Sequence, residues 1–354
     1  MSRCRRSWPN MVPRSPERNH HPPIPTPVHS NSISPAKAPW LLLAYLVLCF
    51  HHCGAVVMVH FFNYPGFRMI HENVEPVFEI FNRRMVPFVY VPAGLLAAAA
   101  LALWRQASLA GLPKGLLVAS AGLALVSVAA TFGLAAPVYA ELPVTGFTAA
   151  IAARLLPLGL GLQVLPAAGA ALLALGLMNH CLREARPVGR WLFISVFALL
   201  FYSAGTGDVD GNVDYFFWPA ISPADWLPFR QSGSFAVFAG VFLLPGFLPL
   251  LLKIPLIWLR PAGLPKWLVL LSLATDAWMF FITATYFVPK LQLPLDKGFS
   301  RPLIEELLRN NFLLRGSVIL AMDFLMAWLF LKVAPGTRRY EVPNAGSLPE
   351  PALS

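Results

Sequence analysis

Eight apolar runs dominate the chain, near residues 40–62, 85–104, 115–137, 155–179, 191–207, 234–259, 267–289 and 312–332. Each is close to the ~20 residues that a helix needs to cross a ~30 Å hydrocarbon core at ~1.5 Å per residue. In that solvent every backbone N–H and C=O must be satisfied within the segment, so such runs fold as helices. The expected fold class is all-α and integral to a membrane, with the lipid bilayer as first partner. The charged fraction agrees, since 12% of residues are Asp, Glu, Lys or Arg, half the ~25% of an ordinary soluble domain. The fifth run is the least regular. Gly205-Thr206-Gly207-Asp208 interrupts it, and Asp208 to Asp214 reads as a turn that breaks the span.

Residues 1–39 hold nine prolines and residues 334–354 hold four. Pro-rich polar segments cannot bury a core, so both are predicted to be disordered tails. The first apolar run, behind the long polar tail, reads as an uncleaved anchor. Lys and Arg collect on one side of the membrane: the N-terminal tail, Arg105, Lys114, Arg183, Arg186, Arg190, Lys253, Arg260, Lys266, Lys332, Arg338 and Arg339. That side carries 17 basic residues against four acidic ones. The positive-inside rule then predicts an inner (cell) membrane protein with both termini cytoplasmic. A nucleic-acid partner would need a basic patch on a soluble module, and none lies outside the tails. Cys4, Cys49, Cys53 and Cys181 do not form a disulfide framework.

The chain repeats itself. Ala110-Gly111-Leu112-Pro113-Lys114 recurs as Ala262-Gly263-Leu264-Pro265-Lys266, and the same offset of 152 relates Ser120 to Ser272, Thr131 to Thr283 and Pro137 to Pro289. Two tandem four-helix units are predicted, residues 40–182 and 183–333. Four spans is an even number, so both units share one orientation and a pseudo-twofold axis along the membrane normal.

The first unit contains Asn63-Tyr64-Pro65-Gly66-Phe67-Arg68, then Glu75-Pro76-Val77-Phe78-Glu79-Ile80-Phe81-Asn82-Arg83-Arg84, Met85-Val86-Pro87-Phe88 and Pro92-Ala93-Gly94-Leu95-Leu96. This order resembles the start of the small four-helix membrane family that includes the anthrone oxygenases. The second unit lacks the Asn-Arg pair. It retains Val288-Pro289-Lys290-Leu291 and Leu307-Leu308-Arg309-Asn310-Asn311-Phe312-Leu313-Leu314-Arg315, which resemble the later part of the pattern. The resemblance implies two fused, diverged four-helix copies. It also implies an oxygenase-like alternative function on an aromatic or lipid-soluble substrate, with Asn82, Arg83, Asn311 and Arg315 orienting it and a histidine as base.

Ionisable residues inside the spans carry the functional argument, because charge at the bilayer centre is costly unless paired or wetted. His51 and His52 lie about 17 Å from the cytoplasmic start of the first run, and Asp276 and Asp323 about 14 Å from the cytoplasmic ends of theirs. Similar depth predicts His–carboxylate pairing inside the bundle. A second polar set is expected toward the outer face: His60, Asn63, Arg68, Asn82, Arg83, Arg84, Asp208, Asp210, Asn212, Asp214, Asn311 and Arg315. There His60 is expected to face Asp214 at the mouth of a cavity. Cys49, His52 and Cys53 share one helix face but lack a fourth donor for a metal, and no cofactor is implied. His71, Glu75 and Glu79 read as one face of a polar helix leading into the second span. The leading expectation is a protein that binds or moves a small molecule or ion in a polar cavity between the repeats. A structural or assembly subunit of a membrane complex is a third reading.

Overall fold

The computed structural model describes residues 38–106 and 112–333. Both predicted tails, apart from their junctions with the first and last helices, lie outside these residues, as does the Ala110-Gly111 start of the repeated pentapeptide. Among the described residues eight helices are long and apolar enough to cross a membrane: Pro39–Phe67, Val74–Arg105, Lys114–Thr145, Ala149–Cys181, Pro187–Ala220, Phe235–Leu259, Lys266–Leu295 and Arg301–Val333. No strand occurs among them. We refer to them as spans one to eight.

Most spans run past the predicted apolar runs at the end away from Ala38 and Val333. Span five is the main correction. It does not break at Gly205 but continues as helix to Ala220. The polar residues 208–214 are accommodated by a wide turn with i to i+5 hydrogen bonding, in which Tyr215 N–H donates to the Asp210 carbonyl. Backbone groups therefore stay paired at membrane depth, as the bilayer demands. A second correction concerns His71. The helix of span two begins at Val74, after the left-handed Asn73 (φ 52°), so His71 precedes it and shares no helix face with Glu75 and Glu79. The His71 and Glu72 amides instead donate to Asp225 Oδ2 at 2.8 and 2.7 Å, tying this loop to the short helix Pro223–Gln231.

Every span contains one wide turn: Val59–Asn63, Val86–Tyr90, Thr131–Ala135, Gly159–Val164, Val209–Asp214, Ala239–Leu243, Thr283–Gln292 and Phe312–Gly316. In six of them a proline stands two residues beyond the turn: Pro65, Pro92, Pro137, Pro166, Pro245 and Pro294. Proline has no N–H to give, and its ring collides with the carbonyl four residues earlier. In all six cases that carbonyl lies inside the wide turn, where the loosened winding moves it aside. Pro249 and Pro255 sit in ordinary helix, so proline permits the wide turn rather than dictating it. The turns of spans five and eight have no such proline.

Two large apolar cores lie toward opposite ends of the bundle, with a small cluster of Cys53, Val56, Val57, Val164 and Ala167 besides. One gathers residues at the end where span one begins and span eight finishes, such as Leu46, Phe193, Phe197 and Phe330. The other gathers residues of the opposite end, such as Phe67, Phe81, Trp218 and Trp226. Spans one and five, the most buried of the eight, run parallel through both. Their contact is reciprocal. A Cβ on Gly54 would collide with Tyr202 O and approach Thr206 N, and a Cβ on Gly205 would collide with His51 O and Ala55 N. Each glycine meets on the other span the counterparts of what its partner meets, at the same 151-residue spacing that separates the hydrogen-bonded Asn63 and Asp214. Gly54→Ala and Gly205→Ala are expected to lower the unfolding midpoint of the detergent-solubilised protein by similar shifts, each corresponding to a destabilisation of about 1–3 kcal/mol. Gly207→Ala, which meets open space, should leave it unchanged or raise it.

Candidate functional site

The close approach at Gly54 and Gly205 places His51 against the start of the span-five wide turn. His51 Nε2 lies 2.9 Å from Asp208 Oδ2, and Asn212 Nδ2 donates to Asp208 Oδ1 at 2.8 Å. A His–carboxylate pair thus forms at mid-membrane, but its acid comes from the residues assigned to the outer set, not from Asp276 or Asp323. The Asp208 side chain is 34% exposed and that of His51 12%.

Asp276 has a different partner. Lys253 Nζ lies 2.7 Å from Asp276 Oδ2, and both side chains are almost wholly buried. The contact is an ion pair rather than an aligned hydrogen bond, since Asp276 Oδ2 lacks a geometrically satisfied donor. Lys253 also reaches Ser272 O at 3.4 Å and Met322 Sδ at 3.6 Å. Lys253, expected with the basic residues on one side of the membrane, is buried inside the bundle instead. The residue lies in span six, on the stripe Pro249, Lys253, Leu256, Ile257 that this otherwise lipid-facing helix buries. That i, i+4, i+7 spacing was the signal that could have found it. Asp323 on span eight has Asp208 and Lys253 as its charged neighbours, and its Oδ1 is buried without a hydrogen-bond partner.

His52 leaves this group and faces the first unit. Its Nε2 lies 2.9 Å from Ser127 Oγ. Ser127 already donates its only hydroxyl proton to Gln163 O at 2.8 Å, so His52 Nε2–H is the donor and its Nδ1 carries no proton. Gln163 Nε2 in turn donates to Thr131 Oγ1 at 3.2 Å. One heptad earlier, Tyr45, Ser120 and the Ala170 carbonyl make the same rung. Tyr64 and Tyr139 pair further out at the same separation along the chain. These rungs lock span one to spans three and four.

The outer set divides as well. Asn63 Nδ2 donates to Asp214 Oδ1 at 2.9 Å, and both residues are buried. His60, expected opposite Asp214, instead stacks edge-on against Phe61 and Tyr64 and points toward Gly159 and Gln163 of span four. Arg315, Tyr215 and Arg230 are neighbours of Asp210, and Asn311 lies against Gly211. Span eight therefore reaches the wide turn of span five through Asn311 and Arg315. Wide turns of this kind gather at functional sites. Asn82 is spent on the Tyr139 carbonyl at 2.6 Å, and Arg83 is exposed, so neither joins them. Among the described residues no three His, Cys, Asp or Glu side chains converge as a metal-binding group, and Cys49 and Cys53 are buried free thiols. A groove of about 840 Å³ runs along Arg68, His71, Phe147 and Leu156 and contains none of the intramembrane candidates.

Comparison of the chain with protein-family models, curated proteins and solved structures found no match.

Removing one member of a buried ion pair strands the other charge, at a cost of about 3–5 kcal/mol. Lys253→Met alone is therefore expected to destabilise the protein by that order in detergent unfolding. Lys253→Met combined with Asp276→Leu should recover most of the loss. Additive losses in the double variant would show that the pair does not couple.

Proposed function

We propose that this polytopic membrane protein moves protons through its interior, along the ionisable groups that spans one, five, six, seven and eight bring together. The observation that supports this most is the charge balance of that group. Asp208, Asp276 and Asp323 contribute three carboxylates, Lys253 one ammonium and His51 one imidazole. Net charge at this depth costs several kcal/mol, and the group is neutral only when it binds two further protons. One belongs on His51. Asp323, with its unpartnered oxygen and no ion pair of its own, is the carrier assigned to the other. Asp208 supplies the contact with water, because a carboxylate one-third exposed at mid-membrane cannot face lipid.

The outer tier keeps the same sign. Asp210 and Asp214 share the guanidinium of Arg315, because Arg230, the other cation near Asp210, is already paired with Asp296. An interior with surplus carboxylates repels anions, so a proton or small cation is the species it fits. On this reading the protein lies in the cell membrane with both termini cytoplasmic, since the basic bias of that side survives removal of Lys253 from the loop count. We also read the chain as a fused duplication. The recurrence of the wide turns from spans one to four in spans five to eight supports it, as does the reciprocal contact of Gly54 and Gly205. The oxygenase-like alternative has less support, because Asn82 and Arg83 lie apart from Asn311 and Arg315.

Reconstitution into liposomes loaded with a pH-sensitive dye tests the proposal. A pH gradient should dissipate through the wild-type protein, and Asp323→Asn and Asp208→Asn should reduce the rate to that of empty vesicles. Full flux in both folded variants would refute it. In a Cys181→Ser background, a membrane-impermeant maleimide should label Cys4 in inside-out vesicles and not in right-side-out ones.

A further inference from the structure

Asp214 poses a problem that the mid-membrane group does not solve. It is 1% exposed, and no ion pair among the described residues includes it. Its charged neighbour is Asp210, which has the same sign. The cations near Asp210 are Arg315 and Arg230, and Arg230 is already paired with Asp296, which leaves Arg315 to compensate Asp210 alone. One negative charge is left over in a wide turn that no proline requires.

Asn63 gives the second observation. It is 2% exposed, and its Nδ2 is held at 2.9 Å from Asp214 Oδ1. That bond fixes the amide against the carboxylate, while Asn63 Oδ1 is buried with no donor to meet it. A buried carbonyl without a partner costs about 1–3 kcal/mol. One positive charge beside this hydrogen bond, against Asn63 Oδ1 and the Asp214 carboxylate, would satisfy the unpartnered oxygen and the uncompensated carboxylate together.

The chemistry of the donors selects the kind of charge. Carboxylate and amide oxygens are hard ligands, suited to alkali and alkaline-earth ions rather than to zinc or copper. The surplus is a single unit, which matches a monovalent ion. Irregular helical turns near the membrane interior are a recurrent place for such sites, because their side chains and carbonyls escape the regular ladder. We propose that Asp214 and Asn63, with Asp210 beside them, bind one monovalent alkali cation where span one crosses the wide turn of span five. The site is separate from the proton group of His51, Asp208, Asp323, Lys253 and Asp276.

The test uses the full-length protein purified in detergent and its thermal unfolding in sodium, lithium, potassium or choline chloride at fixed ionic strength and pH. A ligand that binds only the folded state raises the midpoint in a saturable way. At least one alkali cation is expected to do so relative to choline, and the response should vanish in Asp214→Asn. Should Asp214→Asn fail to fold, Asn63→Ala carries the test. A weakened cation response at a comparable midpoint in choline supports the site, and an undiminished response overturns it. A midpoint that is the same in all four salts, and that responds only to acidification, would mean that Asp214 holds a proton instead, and it would also overturn the site. None of these measurements depends on proton flux, so the two proposals stand or fall apart.

Discussion

The approach of spans one and five at Gly54 and Gly205 is the contact on which the rest of the interior depends. Two helices normally stand 8–10 Å apart, held off by their side chains. Glycine at the crossing lets the backbones meet, as small residues do in membrane helix pairs generally. The consequences run in both directions along the pair. On one side His51 comes within hydrogen-bond distance of Asp208. On the other, Asn63 comes within reach of Asp214. Larger residues at the crossing would separate both pairs at once.

Around that pair the remaining spans divide the polar work unevenly. Spans three and four meet span one through neutral hydroxyl and amide rungs, in which each proton has a defined owner. Spans six, seven and eight meet the other side through charge. The first arrangement is closed and rigid. The second holds more carboxylates than cations, and that imbalance is what makes it chemically open.

Much of this was legible in the sequence, and the exceptions have physical causes. Length and apolarity identified all eight spans, because the bilayer imposes one period and one length on each. His51, Asp208, Asp276 and Asp323 stood out as ionisable residues within or beside those runs. Their pairing did not, since hydrophobicity carries depth but little rotation about the helix axis. Asp276 was matched with a histidine by depth, yet its ion pair is with Lys253, whose long stem places a charge away from its own backbone. Span five was read as broken because Gly205, Gly207 and Gly211 with three aspartates look like a turn in water. In the fold Gly205 serves close packing against span one and Gly211 against Asn311, while a wide turn absorbs the acids without ending the helix. The prolines were visible as helix breakers. Their regular position two residues past a wide turn becomes visible only with the backbone in place.

The reciprocity of the central contact carries a consequence for charge. At a twofold contact between identical chains, a residue near the axis meets its own copy. An acid there would face a second acid, and an amide a second amide. Within one chain the two sides are free to differ, and here Asn63 faces Asp214. The reciprocal contact thereby presents a donor to an acceptor where strict symmetry would have set like against like.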